Sequence, residues 1–149
     1  MGDRLSEDEL RLWRQWFEIT RRASGRFDDE LQERHDLSLI DLEILQMLFD
    51  SEDRRRRMSE IAELTVVSRS RLTYRVDRLC ERGLLQRAGD TTDRRGTYAC
   101  LTVDGAALVE AAAPDRDRIV RSTLIDHVTD DELPAVAALL ERIVGVLRA

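Results

Sequence analysis

Positions marked for burial fall on a three-four rhythm at both ends of the chain. Near the start they are Leu10, Trp13, Phe17, Thr20, Ser24, Phe27 and Leu31, the stripe of a helix that packs along another helix. That helix is predicted to begin after Ser6 and to reach about Arg34. Ser6-Glu7-Asp8-Glu9 is a capping box, in which the Ser hydroxyl accepts from the Glu9 N–H while the Glu9 carboxylate reaches back. Near the other end, Leu133, Val136, Leu140, Ile143 and Leu147 repeat the rhythm behind a similar box from Thr129 to Glu132. Two seam-bearing helices at opposite ends of a short chain predict that the termini pair across a twofold axis with a second copy.

Between these seams the pattern changes. A helix capped by Ser38 and Asp41 buries Leu42, Leu45, Leu48 and Phe49 and ends at Asp50-Ser51. Arg54 to Arg57 then read either as a solvated connector or as a contact to a polyanion. A short helix from Ser59 through Leu64, a brief Thr65-Val66-Val67 connection and a new helix capped by Ser68 make a helix-turn-helix. In the helix from Arg69 to about Arg82, Leu72, Val76, Leu79 and Cys80 form a buried stripe. Arg71, Arg75, Arg78 and Arg82 share another side, with only Asp77 and Glu81 nearby to neutralise them. Gly83 sits where a left-handed cap is needed. Leu84 to Ala88 and Thr97 to Leu101 are predicted strands, joined by the polar segment from Gly89 to Gly96. Thr102 caps a further helix, with a kink or break expected at Pro114 and helicity resuming to Asp126. The fold class is therefore mainly α with a small β-hairpin wing, a winged helix-turn-helix carried on N- and C-terminal helices.

Charge sharpens this picture. The 149 residues suit one core, and the net charge of −6 argues against a nucleic-acid partner until its distribution is resolved. Residues 54–95 hold twelve Arg against six acids, a balance of +6, while the rest of the chain stands at −12. All 24 basic residues are Arg, the side chain suited to bidentate phosphate and guanine contacts. Uncompensated positive charge on the second helix of a helix-turn-helix points to DNA. No apolar run approaches membrane length and the first residues lack a signal-peptide layout, so a cytoplasmic location is expected. Cys80 and Cys100 have neither CxxC spacing nor His companions, and read as small packing residues. No GxSxG, P-loop, HExxH or GxGxxG arrangement is present, so neither an enzyme nor a cofactor is indicated.

The combination of Leu79, Gly83 and Leu84, then Asp93-Arg94-Arg95-Gly96, then Leu101-Thr102 with Gly105 resembles the recognition-helix-to-wing signature of the MarR family of bacterial transcription regulators. The element order resembles that family over nearly the whole chain. The resemblance implies that Arg95 enters a minor groove, with Asp93 orienting it and Arg94 as the next candidate. It also implies a homodimer that reads an inverted repeat in double-stranded DNA. On the helix-turn-helix, Ser68, Arg69, Ser70 and Thr73 are the candidates for base edges and Arg71, Arg75 and Arg78 for phosphates, with Tyr74 open between the two. Tyr74-Arg75 departs from the apolar residue that many members carry there, so base preferences do not transfer. The first helix lacks the cysteine of the family's peroxide sensors, and His35 and His127 stand apart from the clustered ligands of its zinc-responsive members. Relief of repression by a small phenolic or amphipathic ligand is implied, with Trp16 and His35 as the residues offered for that pocket. On this reading residues 1–34 and 102–149 are the dimerisation region and 35–101 the DNA-binding module. The rival is a winged helix used for protein–protein contact without DNA.

Overall fold

The computed structural model describes residues 4–89, 91–92 and 96–149. The chain divides into two compact units, one running to Asp115 and the other from Arg116. The first unit opens on α1, Glu7–His35, and continues with α2, Leu39–Phe49, and a three-residue strand β1, Arg55–Arg57. The helices α3, Met58–Thr65, and α4, Arg69–Glu81, follow, and then the strands β2, Leu85–Gly89, and β3, Thr97–Leu101. The helix α5, Val103–Thr123, crosses the division between the units.

The capping boxes of α1 and α2 form as their spacing predicts. Ser6 N–H donates to Glu9 Oε2 at 2.7 Å and Glu9 N–H to Ser6 Oγ at 3.2 Å. These bonds hold the Glu9 carboxyl below its ordinary pKa. The α1 stripe is a different matter, because only Leu31 is buried and Phe27 partly so. Leu10, Trp13 and Phe17 stand 40%, 55% and 44% exposed, so the described residues of the first unit leave the apolar face predicted for α1 open over its N-terminal half.

The core gathers around α2. Leu42, Ile44, Leu45 and Leu48 are buried there, while Phe49 is only half-buried. Ile44 falls off the single stripe read from the sequence because α2 packs against α1, α3, β1 and β3 and so needs apolar residues around its circumference. Leu31, Leu37, Ile61, Leu72, Val76, Leu79, Leu84, Leu85, Ala99, Val109 and Ala112 complete the same cluster.

Most of the arginine run is a strand, which its composition did not suggest. Arg55, Arg56 and Arg57 pair antiparallel with Cys100, Ala99 and Tyr98, giving a three-stranded sheet in the order β1-β3-β2. The period-two alternation of a strand separates the side chains. Arg55 and Arg57 both lie over the Tyr98 ring, at 4.8 and 5.7 Å from its centroid, and Arg57 Nε donates to the Tyr98 hydroxyl at 3.2 Å. Arg56 Nε instead donates to Ser51 Oγ at 2.9 Å.

Backbone groups and one hydroxyl, that of Thr102, tie the end of α4 to the start of α5. Gly83, at φ 72, ends α4 in the left-handed region that favours glycine. Its N–H bonds Cys80 O at 2.9 Å and the Leu84 N–H bonds Leu79 O at 3.0 Å, a Schellman closure. Thr102 Oγ1 donates to Gly83 O at 2.6 Å and accepts from the Gly105 N–H at 3.0 Å. The predicted break at Pro114 is absent, and α5 is continuous from Val103 to Thr123. A helix interior tolerates the lost N–H when the residues around it favour helix strongly, and Ala106, Ala107 and Ala111 to Ala113 supply that preference.

In the second unit, α5 ends at Thr123 rather than at Asp126, and a 3-10 turn at Ile125–His127 precedes α6, Leu133–Arg148. The Thr129 box is present only in part. Glu132 Oε2 accepts from the Thr129 N–H and hydroxyl, both at 2.9 Å, but Glu132 is itself the residue before the helix, with Pro134 in the first turn. No residue of α6 is buried, and Leu133 and Leu147 are 48% and 81% exposed. Among the described residues no helix is long and apolar enough to cross a membrane.

Candidate nucleic-acid interface

The helix α4 is held by one face and free on the other. Leu72, Val76 and Leu79 are buried in the core, whereas Ser68, Arg69, Ser70, Arg71, Thr73, Tyr74 and Arg78 are exposed. Ser68 caps the helix, its hydroxyl accepting from the Arg71 N–H at 3.4 Å and lying 3.3 Å from Ser70 Oγ. The short connection from α3 runs through Val66, whose φ of 55 is unfavourable for a β-branched residue and whose side chain is 89% exposed. The end of α4 that carries its unpaired N–H groups and partial positive charge is therefore open.

The arginines predicted to share a row divide into two sets. The side chains of Arg69, Arg71 and Arg78 make no hydrogen bond or ion pair with another described residue. Arg75 instead reaches the start of α2, where its Nη1 donates to Ser38 Oγ at 2.8 Å and to both Asp41 oxygens at 3.2 Å. Arg82 donates to the backbone carbonyls of Asp36 and His35. Asp77, expected to neutralise this row, pairs instead with Arg87 of β2 at 2.9 Å. Sequence reasoning looked for counter-charges on the same helix and missed those that the fold brings from α1 and α2.

Beside the start of α4 lies a cavity of about 380 Å³, lined by Arg57, Ser59, Arg69, Thr73, Arg87 and Thr97 among others. Three guanidinium groups and three hydroxyls make this cleft between α4 and the sheet basic and polar. The stacked Arg55, Tyr98 and Arg57 flank the sheet, and they were missed because nothing in a run of arginines signals strand register. Asp93, Arg94 and Arg95 lie outside the described residues.

The two residues offered for a ligand pocket are not brought together by one chain. They are 19 positions apart on α1, about 28 Å along its axis at ~1.5 Å per residue. Trp16 is 39% exposed, whereas His35 Nε2 lies 2.9 Å from Asp115 Oδ2, an oxygen pair that Arg34 also approaches at 3.4 Å. Cys80 and Cys100 are free thiols, each half-buried. Burial pushes the Cys80 thiol above its usual pKa, Arg87 opposing and Asp77 adding to the rise, so it is a poor nucleophile at neutral pH. Among the described residues no group of three or more His, Cys, Asp or Glu side chains is placed to hold a metal ion.

A buried-faced second helix, a basic outer face and an adjacent antiparallel hairpin define a winged helix-turn-helix. Comparison with known proteins agrees: a model of the MarR family matches residues 35–96. The chain is 33% identical to AbsC, a MarR family transcriptional regulator of Streptomyces coelicolor, with a TM-score of 0.91 and 99% of each chain covered. A second MarR family regulator of Streptomyces coelicolor, solved in complex with DNA, matches with a TM-score of 0.95 at 27% identity, covering 100% of this chain and 93% of that one. BpsR of Bordetella bronchiseptica, whose DNA binding is regulated by 6-hydroxynicotinic acid, matches with a TM-score of 0.77 at 25% identity, covering 96% and 97%. This chain belongs to the MarR family, and it is a transcriptional regulator rather than an enzyme.

Proposed function

We propose that the protein binds DNA as a homodimer, with α4 of each protomer in successive major grooves of an inverted repeat and the wings in the flanking minor grooves. The observation that carries this reading is the exposed surface of α4, where Arg71 and Arg78 on one flank and Arg69 on the other, beside the basic cleft, have side chains without partners among the described residues. Cations left unpaired on a helix whose opposite side is anchored in the core suit a polyanion of regular shape. Ser68, Arg69, Ser70 and Thr73 then face base edges, and Arg71 and Arg78 phosphates, with Tyr74 beside them. Arg95, oriented by Asp93 and assisted by Arg94, takes the minor groove.

Dimerisation is supported by the exposed apolar residues at both ends of the chain, Leu12, Trp13, Phe17 and Ile19 on α1 and Leu133, Leu139, Val144 and Leu147 on α6. Apolar rows of this extent need cover, and a second copy provides it symmetrically. Residues 1–34 and 102–149 are accordingly assigned to dimerisation and 35–101 to DNA. Repression relieved by a small phenolic or amphipathic ligand is the regulatory reading, supported by the likeness to BpsR.

Selection of bound fragments from genomic DNA tests the docking. Enrichment of an inverted repeat with half-sites about one helical turn apart, roughly 10 bp, is expected. Recovery of fragments with no shared repeat would refute it.

A further inference from the structure

We infer that Arg75 and Arg82 are positioning residues that lock α4 to the corner between α1 and α2, and that neither contacts DNA. This rests on the DNA-binding reading of α4 and reassigns Arg75, which the sequence alone placed among the phosphate contacts.

The capping box of α2 is completed by α4. Asp41 Oδ2 accepts from the Ser38 N–H at 3.0 Å and from the Ser38 hydroxyl at 2.8 Å, and Ser38 Oγ accepts from the Asp41 N–H at 3.1 Å. Arg75 enters this closed box, taking the remaining acceptor position on Ser38 and sharing both carboxylate oxygens. The Arg75 and Asp41 side chains are 32% and 15% exposed, so the pair is shielded from solvent more than a surface ion pair is. Turning Arg75 out to a phosphate would break three hydrogen bonds and leave a half-buried carboxylate facing the DNA backbone without its counter-charge.

Arg82 makes the second attachment. It lies seven residues further along α4, about 10 Å by helical rise, and donates to the last carbonyls of α1. A cation suits this end of a helix. One attachment leaves a helix free to pivot, whereas two on the same row fix both its tilt and its roll. The exposed surface bearing Arg69, Arg71 and Arg78 is thereby held at a set angle to the rest of the first unit. Each α4 offers three arginines to DNA rather than five.

The test uses the full-length dimer, the duplex recovered by genomic selection, and affinity measured across a range of salt. Arg75→Gln is expected to weaken operator binding about 5- to 50-fold while leaving the slope of log affinity against log salt unchanged. Binding to an unrelated duplex of the same length is expected to stay as it is, which distinguishes mispositioning from a general loss of folded protein. Asp41→Asn is expected to weaken operator binding similarly, and the double variant no further than the worse single one, because both remove the same interaction. Arg82→Gln keeps the α2 cap intact and is expected to reproduce the Arg75→Gln result if Asp41→Asn fails to fold.

The inference is overturned if Arg75→Gln flattens the salt slope by about 0.9 per protomer, as loss of a phosphate contact does. It is equally overturned if Asp41→Asn tightens binding by releasing Arg75. Arg71→Ala serves as the reference: it should flatten the slope, and if it does not, the docking of α4 itself is wrong.

Discussion

Operator affinity of the Arg71→Ala, Arg95→Ala variant is expected to fall roughly 1,000-fold. The dimer would lose four contacts, and at about 1 kcal/mol each the total of about 4 kcal/mol corresponds to that factor. Arg71 is exposed and has no partner among the described residues, so its removal takes nothing from the fold. Arg95 enters by its place in the wing signature, Asp93-Arg94-Arg95-Gly96. Thermal unfolding of the Arg71→Ala single variant should therefore match the parent. A winged helix that served only protein contacts would keep its activity after both changes, so unaltered activity with no loss of DNA affinity would support that rival.

Gly105→Ala is expected to destabilise the protein by about 3 kcal/mol, the upper range for overpacking a tight contact. A methyl group on Gly105 would stand 2.2 Å from the Leu84 carbonyl oxygen and 2.7 Å from Leu101 Cδ1. The Leu101 methyl can swing aside, but the Leu84 carbonyl cannot: Leu84 O accepts from the Thr102 N–H at 3.1 Å and Leu84 closes the end of α4. Helix preference acts in the opposite direction, favouring Ala over Gly by ~1 kcal/mol in a helix interior, so the sign of the change shows which effect wins. The melting temperature should drop by about 10 °C, at ~2–4 °C per kcal/mol for a chain of this size. A rise would show that α5 can move away from Leu84 without cost. The close approach explains in physical terms why a glycine stands three residues after Thr102, where the first turn of α5 packs on Leu84 at the end of α4.

Local chemistry made much of the fold legible. Ser6 with Glu9, Ser38 with Asp41, Ser68 and Gly83 each act within a few residues, and each does in space what its spacing predicts. What was hidden depends on distant residues. The strand β1 exists because β3 offers it an edge and Tyr98 a ring for two guanidiniums, and neither is visible from Arg54 to Arg57 alone. The continuity of α5 through Pro114 reflects the helix-favouring alanines that precede it, which outweigh the local break. The candidate site divides in the same way. Its arginine-rich helix could be read directly, but which arginines are free could not, because the acids that hold Arg75 and the carbonyls that hold Arg82 come from elements more than thirty residues away. The α1 stripe was legible as a seam, and its exposure in one chain is what points to a partner.

The central claim is that the free arginines of α4 meet phosphate-bearing DNA in a dimer, and equilibrium binding to the selected duplex across a salt series tests it most directly. Arg71 and Arg78, the two assigned to phosphates, give four such contacts in the dimer. At about 0.9 per phosphate neutralised, the slope of log affinity against log salt should be roughly −3.6 or steeper. Affinity for a duplex with the inverted repeat scrambled should be lower at every salt concentration. A slope shallower than about −2, with equal affinity for the selected and scrambled duplexes, would contradict the account.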